Sequence, residues 1–132
     1  AEGIFHNLVF VSIDKQYPGQ AYKVMNALWG AGLMSLAKMI VVVDKDVDVR
    51  DARTAWWIAL NNIDPERDAR FSMGPIDVLD HSSRAFTYGS KIGFDATRKW
   101  PEEGFTRRWP NLIEMDSATK AKVDAVWPAL GL

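Results

Sequence analysis

Two short runs of branched and aromatic residues stand out in the first third of the chain, Leu8 to Ile13 and Met39 to Val43. Neither run alternates strictly between apolar and polar positions, which is typical of parallel strands that are buried on both faces. Between them, Ala21 to Trp29 carries apolar residues at helical spacing, and Gly30 provides a stop signal. This part of the sequence therefore predicts a strand, an amphipathic helix and a second strand.

A second helix is expected after the second strand, with Asp48 as its N-cap and Asp51 in its favourable first turn. It ends before Pro65, because the residue before a proline avoids helical angles. Ala69 to Met73 then reads as a third parallel strand, which completes a βαβαβ core within residues 1–75. We therefore expect an α/β fold, a three-layer α/β/α sandwich with a mainly parallel sheet.

The pattern changes after residue 75, because glycine and proline interrupt every apolar run. Residues 76–115 are predicted to form an extension rich in loops and hairpins, with short extended pieces at Ile76 to Leu79 and Lys91 to Ala96. Asp116 is placed to cap a C-terminal helix that occupies residues 116–132. No repeat or linker divides the chain, so a single domain with an extension is the simplest organisation.

Composition excludes several classes of function. The chain has 132 residues, 48% of them hydrophobic and 25% charged, which fits one ordinary globular domain. Sixteen basic against seventeen acidic residues give a formal charge of −1, so binding to nucleic acid by neutralising phosphates is not expected. The absence of cysteine removes disulfides and thiolate chemistry and fits the cytoplasm. The longest apolar run, Ala55 to Leu60, is too short to span a membrane.

The residues alone reveal no metal or catalytic motif. The aspartates that follow Asp44 resemble the start of a calcium loop, but Val49 and Ala55 occupy the positions where that loop needs glycine and glutamate. They form either a solvated turn or, at the carboxyl end of a strand, part of a ligand site. His6 and His81 are isolated imidazoles without zinc spacing, and either structural or ligand-contacting roles remain open for His81.

Aromatic and basic residues cluster around Trp100 and Trp109, in the part of the chain rich in proline and glycine. Such a cluster either clasps an anion or a partner subunit, or is solvated surface.

Three stretches of the chain resemble the C-terminal domain of the UbiD family of carboxy-lyases, and the similarity extends from Glu2 to the terminal helix. The stretches are Tyr17 to Trp29, Ile40 to Val49, and Gly89 to Pro101, which reads Gly-Ser-Lys-Ile-Gly-Phe-Asp-Ala-Thr-Arg-Lys-Trp-Pro. The third is the most specific, because its length makes a chance match a poor explanation.

The resemblance implies decarboxylation of an aromatic acid at prenylated FMN, which acts as an electron sink. Asp64 to Asp68 and Gly74 to His81 are most similar to the menaquinone-biosynthesis branch, with the ubiquinone branch close behind. Family members hold the flavin, its Mn²⁺ and K⁺ ions and their catalytic residues in domains that precede this one. No catalytic residue or metal ligand is therefore assigned to this chain.

For this chain, the resemblance implies a domain that closes over the flavin and lines the substrate pocket. Pro75, Ile76 and Leu79 match the apolar wall of that pocket, although Ile76 also fits a plain core position. Lys38 is the basic residue nearest to the position that approaches the flavin phosphate in some members, with a surface lysine as the alternative.

The remaining signature residues are expected to act in closure or at an interface. These residues are His81, Lys91, Lys99 and Trp100. Family members form dimers or larger oligomers through their C-terminal elements, so a homo-oligomer is expected, with the preceding domains and the aromatic acid as further partners. A second hypothesis is that the chain is an assembly module without catalysis of its own.

Overall fold

The computed structural model describes residues 7–131, so His6 and the Glu2 to His6 part of the family resemblance lie outside the described residues. The strands are β1 (Leu8–Ile13), β2 (Met39–Asp44), β3 (Ala69–Pro75) and β4 (Tyr88–Asp95). The α-helices are α1 (Gln20–Trp29), α2 (Ala52–Asn62), α3 (Pro65–Asp68) and α4 (Ser117–Val126), and short 3₁₀ helices occupy Gly32–Leu36, Pro101–Glu103 and Trp127–Leu130.

The four strands form one sheet in the order β1-β2-β4-β3. β1 pairs with β2 in parallel, with Val11 opposite Val42, and β2 pairs with β4 in parallel, with Val41 opposite Phe94. β3 pairs with β4 in the antiparallel direction at one edge. The expected α/β fold with a mainly parallel sheet is therefore confirmed.

Helices cover both faces of β2, the most deeply buried strand, because successive side chains of a strand point to opposite faces. Ile40 and Val42 pack on one side in the cluster that includes Met25 of α1. Val41 and Val43 pack on the other side in the cluster that includes the α2 alanines. Each fully buried valine or isoleucine contributes about 1.5–3 kcal/mol, so this continuous apolar run fixes the three-layer arrangement.

The prediction that Ala69 to Met73 is a parallel strand is wrong. β3 is joined to β4 by the loop of residues 76–87, and a direct hairpin connection of this kind can only produce antiparallel strands. β3 also has the burial pattern of a half-exposed edge strand, since Phe71 is 78% and Met73 45% exposed. A doubly buried strand would have shielded both side chains.

The second half of the chain also departs from the predicted pattern. The expected extended piece Lys91 to Ala96 belongs to β4, which lies between β2 and β3 in the core sheet rather than in an extension. Ile76 to Leu79 does not form an extended piece. The Asp77 carboxylate accepts the Leu79 N–H at 2.8 Å, and the Asp77 carbonyl accepts the Asp80 N–H, so the chain turns there.

The helix ends follow local hydrogen-bond chemistry. Asp51, not Asp48, caps α2, because its carboxylate accepts the Thr54 N–H at 3.2 Å. Asp48 accepts the Arg50 N–H in the turn before it. Asp116 caps α4 through Thr119, as predicted, but α4 buries none of its residues.

Candidate functional site

Two glycines of the Gly89–Pro101 signature permit close packing against β4. A Cβ atom at Gly93 would lie 2.6 Å from Met25 Sδ and 3.1 Å from the Trp29 ring. A Cβ atom at Gly89 would lie 2.8 Å from Ile76 Cδ1. At both positions a larger residue would force the neighbouring side chains to move.

Lys91 is a buried cation held by backbone oxygens. Its ammonium group donates to the carbonyls of Ser35 at 2.6 Å and Ala37 at 3.0 Å, at the end of the Gly32–Leu36 3₁₀ helix. Burial lowers the pKa of Lys91, because desolvation disfavours the charged form. Lys91 therefore ties this 3₁₀ helix to β4 and does not present its charge to a partner.

Lys99 is the centre of a buried ionic cluster at the carboxyl end of β4. Its ammonium group lies 3.1 Å from Asp95 Oδ1 and 3.5 Å from Asp68 Oδ1, and the side chains of all three residues are at most 2% exposed. Arg67 closes the cluster with a bidentate contact to Asp68. The signature aspartate and lysine are thus partners within the domain.

Trp100 lies beside a second buried ion pair. Lys15 Nζ contacts Glu103 Oε2 at 2.5 Å and lies 5.5 Å from the centroid of the Trp100 ring. Glu103 also accepts the Trp100 backbone N–H at 2.8 Å. These contacts hold the segment after β4 against the end of β1.

The signature therefore acts mainly as an internal framework in this chain. The expectation that Lys91 and Lys99 contact a partner or close a site finds no support, because both ammonium groups are enclosed by groups of their own domain. The carboxyl end of β2 is also occupied by internal contacts. Arg98 pairs there with Asp44 at 3.0 Å and also with Asp46, which does not favour a ligand site at Asp44.

The residues predicted to form the apolar wall lie on the 76–87 loop and directly before it, and they differ in how far their side chains are exposed. Ile76 is only 2% exposed and packs over Gly89, as its alternative core role requires. Leu79 is 56% and Val78 60% exposed, and Pro75 is exposed at the end of β3. The exposed apolar side chains on and beside this loop are therefore those of Pro75, Val78, Leu79 and Phe86, the last of which is 81% exposed.

A compact polar group joins this loop to the amino end of β2. Lys38 Nζ lies 2.8 Å from Asp80 Oδ2 and donates to Ser82 Oγ at 2.5 Å. The Ser82 hydroxyl in turn donates to Asp80 Oδ1 at 2.6 Å. The Lys38 ammonium and the Ser82 hydroxyl lower the pKa of Asp80 to about 2.

Lys38 is the one predicted site residue that combines charge with solvent access. Its side chain is 36% exposed, whereas the Asp80 side chain is 3% exposed. Asp80 Oδ2 accepts no well-oriented hydrogen bond, so its contact with Lys38 Nζ is chiefly an ion pair. His81 is exposed in the turn between Asp80 and Ser82, and its predicted role stays a prediction.

A groove of about 440 Å³ lies at the amino end of β2, and Lys38 is one of its lining residues. Its lining is apolar with polar groups at the rim, and consists of Asn7, Leu8, Lys38, Met39, Phe71, Ser90, Lys91 and Ile92. A separate cavity of about 230 Å³ lies between α2 and the 109–113 segment. Asp44, Arg98 and Trp109 line it, but none of the residues matched to the substrate wall or the flavin phosphate does. The predicted residues that reach solvent thus gather at the amino end of β2.

Sequence reasoning missed Asp80, Ser82 and Leu33. Leu33 is 71% exposed on the Gly32–Leu36 3₁₀ helix, which contacts β3 next to the loop. An exposed leucine has no periodic signal in a short 3₁₀ helix. The Asp-His-Ser sequence at positions 80–82 could have suggested a turn in which the Asp80 side chain accepts the Ser82 N–H.

The described residues do not fit a metal ion. Between residues 7 and 131, no three histidine or acidic side chains come together in a way that could hold one. In the same part of the chain, no helix has both the length and the apolar character needed to cross a membrane.

Sequence comparison places the chain among known families. A family profile described as "3-octaprenyl-4-hydroxybenzoate carboxy-lyase C-terminal domain" matches residues 1–96. The chain is 52% identical over 132 residues to an uncharacterized protein of Aquifex aeolicus, covering all of this chain and 27% of that protein. It is 53% identical over 127 residues to an uncharacterized protein of Archaeoglobus fulgidus, covering 96% of this chain and 26% of that protein. The chain thus spans about a quarter of the length of these relatives.

Solved structures agree with this fold. The UbiD-class enzyme HmfF from Pelotomaculum thermopropionicum, in complex with FMN, is 28% identical with a TM-score of 0.65, over 80% of this chain and 24% of that one. The vanillic acid decarboxylase of Sedimentibacter hydroxybenzoicus, in open form, is 24% identical with a TM-score of 0.74, over 94% of this chain and 27% of that one. The second likeness concerns the fold alone.

Proposed function

Because the chain belongs to the 3-octaprenyl-4-hydroxybenzoate carboxy-lyase C-terminal domain family, we propose that it is one domain of a longer flavin-dependent decarboxylase. In this proposal the domain closes over the cofactor and supplies an apolar wall to the pocket of an aromatic acid. The observation that carries the proposal is the exposure of Leu79, 56%, on a loop attached beside the half-exposed Lys38. An aromatic ring needs such an apolar surface and a small number of polar groups.

The reactive groups belong, in this proposal, to the rest of the polypeptide. The curated relatives are about four times as long as the match, and the FMN complex of HmfF is likewise a much longer chain. Several buried charged residues of this domain are engaged with one another, as Lys99 is with Asp68 and Asp95. We therefore assign no catalytic acid to it and expect the domain alone to be inactive.

The cofactor we propose is prenylated FMN, with Mn²⁺ and K⁺ held by other domains. Prenylated FMN supplies an electron sink for the electrons left when carboxylate departs as CO₂. Lys38 is the group of this chain best suited to approach the flavin phosphate, since its side chain is charged and 36% exposed. Closure of the domain would exclude water and strengthen the electrostatic interactions around the reacting carboxylate.

We propose that the substrate is a polycyclic or 4-hydroxybenzoate-type acid in quinone biosynthesis, with the menaquinone branch favoured by sequence similarity. The cysteine-free sequence supports a cytoplasmic enzyme.

The decisive variant is Leu79→Asp in the full-length, flavin-loaded protein. A carboxylate at an exposed apolar wall opposes burial of an aromatic ring, so we expect kcat/KM to fall by about tenfold or more. Flavin absorbance should be retained. Turnover would be assayed with a 4-hydroxybenzoate-type acid and with a polycyclic aromatic acid.

Leu60→Asp is the matched control, because Leu60 is 69% exposed on α2 and lies outside the proposed wall. Its kinetics should equal those of the wild type. Equal kinetics for Leu79→Asp as well would remove the loop from the pocket. Ile76→Asp is less informative, because burial of a carboxylate over Gly89 would destabilise the fold itself.

A second candidate function, assembly without catalysis, is favoured by the exposed C-terminal segment. Val126, Trp127 and Leu130 are each more than half exposed, and α4 buries no residue in its own domain. Apolar groups of this size are commonly covered by a partner, here proposed to be a second copy of the protein. Light scattering of the full-length protein with and without residues 117–131 would test this, and an unchanged oligomer size would contradict it.

A further inference from the structure

The 76–87 loop is attached to the body of the domain at few points. Its two ends are paired, because the Ile76 N–H donates to the Thr87 carbonyl at 3.1 Å. Thr87 adopts a left-handed conformation with φ of 58°, which is costly for a β-branched residue. Beyond the Ile76 side chain, the part of the loop that carries Leu79 depends on side-chain hydrogen bonds for its position.

Nearly all of those hydrogen bonds stay inside the loop. Asp77 accepts from Leu79, and the Ser83 hydroxyl donates to the Asp80 carbonyl at 3.1 Å. Within residues 7–131, the side-chain hydrogen bonds and ion pairs from the loop to another element are those made by Lys38 with Asp80 and Ser82. Together with the packing of Ile76 and Ser83 against Gly89 and the Ala85–Tyr88 backbone pair, these contacts fix where the loop lies relative to the sheet.

We infer that the Lys38–Asp80 ion pair, completed by the Ser82 hydroxyl, is a latch that holds the 76–87 loop to the amino end of β2. Asp80 and Ser82 are then positioning residues, which act through the loop that presents Leu79. The importance of the latch for turnover rests on the proposed function. The latch itself does not.

The geometry leaves room for an anion beside the latch. The Lys38 side chain is 36% exposed, and its ammonium group contacts Asp80 and Ser82. An ammonium group has three N–H donors, so Lys38 can hold the loop with two of them and offer the third to a phosphate.

Hydrogen–deuterium exchange of the full-length holoenzyme tests the latch. Asp80→Asn removes the charge and keeps an oxygen that can accept from Ser82, so amide exchange across residues 77–87 should accelerate by about tenfold or more, a change equivalent to about 1.4 kcal/mol. Asp14→Asn is the matched control, because it breaks the exposed Lys45–Asp14 pair, whose atoms lie 2.9 Å apart at the other end of the sheet. The control should leave loop exchange unchanged.

Substitutions at Ser82 provide an independent measurement if Asp80→Asn folds poorly. Ser82→Ala removes the hydroxyl that bridges Lys38 and Asp80, whereas Ser82→Thr retains it. We expect faster loop exchange and a raised KM in Ser82→Ala, with flavin content unchanged and wild-type behaviour in Ser82→Thr.

Two results would overturn the latch. One is wild-type loop exchange in both Asp80→Asn and Ser82→Ala, and the other is equal acceleration in the Asp14→Asn control. Faster exchange with unchanged turnover would support the latch and instead refute the proposed role of the loop in the substrate pocket.

Discussion

The Glu103 carboxylate accepts the backbone N–H of Gly19 at 3.1 Å, across 84 positions of sequence. Gly19 is the N-cap of α1, has φ of 75° and offers no side chain to cap the helix. In many helices a glutamate of the first turn accepts the backbone N–H of the N-cap residue. In α1 that role is taken by Glu103, which lies in the segment after β4. The family signature and α1 are thereby fixed to each other.

Glu103→Gln should destabilise the domain by about 3–5 kcal/mol, because it leaves the buried Lys15 ammonium without its counter-charge. Glu102→Gln is the control, since Glu102 is exposed at the neighbouring position. Urea denaturation of both variants measures the difference. Equal stability of the two variants would contradict the role assigned to the Lys15–Glu103 pair.

Gly93→Ala should cost about 1–3 kcal/mol, because the added methyl group overlaps Met25 and Trp29. Gly74→Ala provides the comparison within the same pair of strands, as its Cβ would lie at an ordinary 3.4 Å from Lys91 Cε. That substitution should change the free energy of unfolding by no more than about 0.5 kcal/mol. Thermal unfolding distinguishes the two, and an unaffected Gly93→Ala would show that α1 can move away from β4.

Lys99→Met should be more destabilising than Lys91→Met. Removal of Lys99 leaves Asp68 and Asp95 buried together, and Asp95 Oδ2 already has no hydrogen-bond donor in the described part of the chain. The Lys91 ammonium group donates to backbone carbonyl groups and not to a carboxylate, so its replacement leaves no buried charge without a partner. Denaturation midpoints would rank the two variants, and the reverse order would contradict this account.

Acidification should weaken the attachment of the 76–87 loop as Asp80 is protonated. The folded pKa of Asp80 is about 2, below its ordinary value of 3.8, because of the Lys38 ammonium and the Ser82 hydroxyl. Its stabilisation is therefore complete above pH 3.8 and is lost as the pH falls toward 2. Limited proteolysis within residues 77–87 by an acid-active protease should increase over that interval, and Asp80→Asn should remove the pH dependence.

The sequence predicts the centre of this fold well and its edge poorly. The continuous apolar run of β2 has one physical solution, burial on both faces, and the family resemblance drawn from the signature is confirmed. The direction of β3 depended on β4, whose extended piece, Lys91 to Ala96, was predicted but placed in a loop-rich extension and not in the core sheet. Gly93 leaves room for Met25 of α1, and the sequence alone does not show that these two residues are in contact.

The candidate site was only partly predictable for a related reason. Leu79 and Lys38 were named from the resemblance, and both reach solvent. The burial of Lys91 and Lys99 was not predicted, because a lysine in a sequence gives no sign of whether its ammonium group contacts water or buried oxygens. The contact of Lys38 with Asp80 joins distant parts of the chain, and no local pattern encodes it.

The central claim is that this domain closes over reactive groups that lie elsewhere in a longer protein. The most direct test compares CO₂ release from an aromatic acid by the flavin-loaded full-length protein and by a version that lacks these 132 residues. The account predicts that the shortened protein retains its flavin but releases CO₂ more slowly by on the order of 100-fold. The reason is that water reaches the flavin and the substrate lacks the apolar surface against which it binds. An undiminished rate from the flavin-loaded, shortened protein would contradict it.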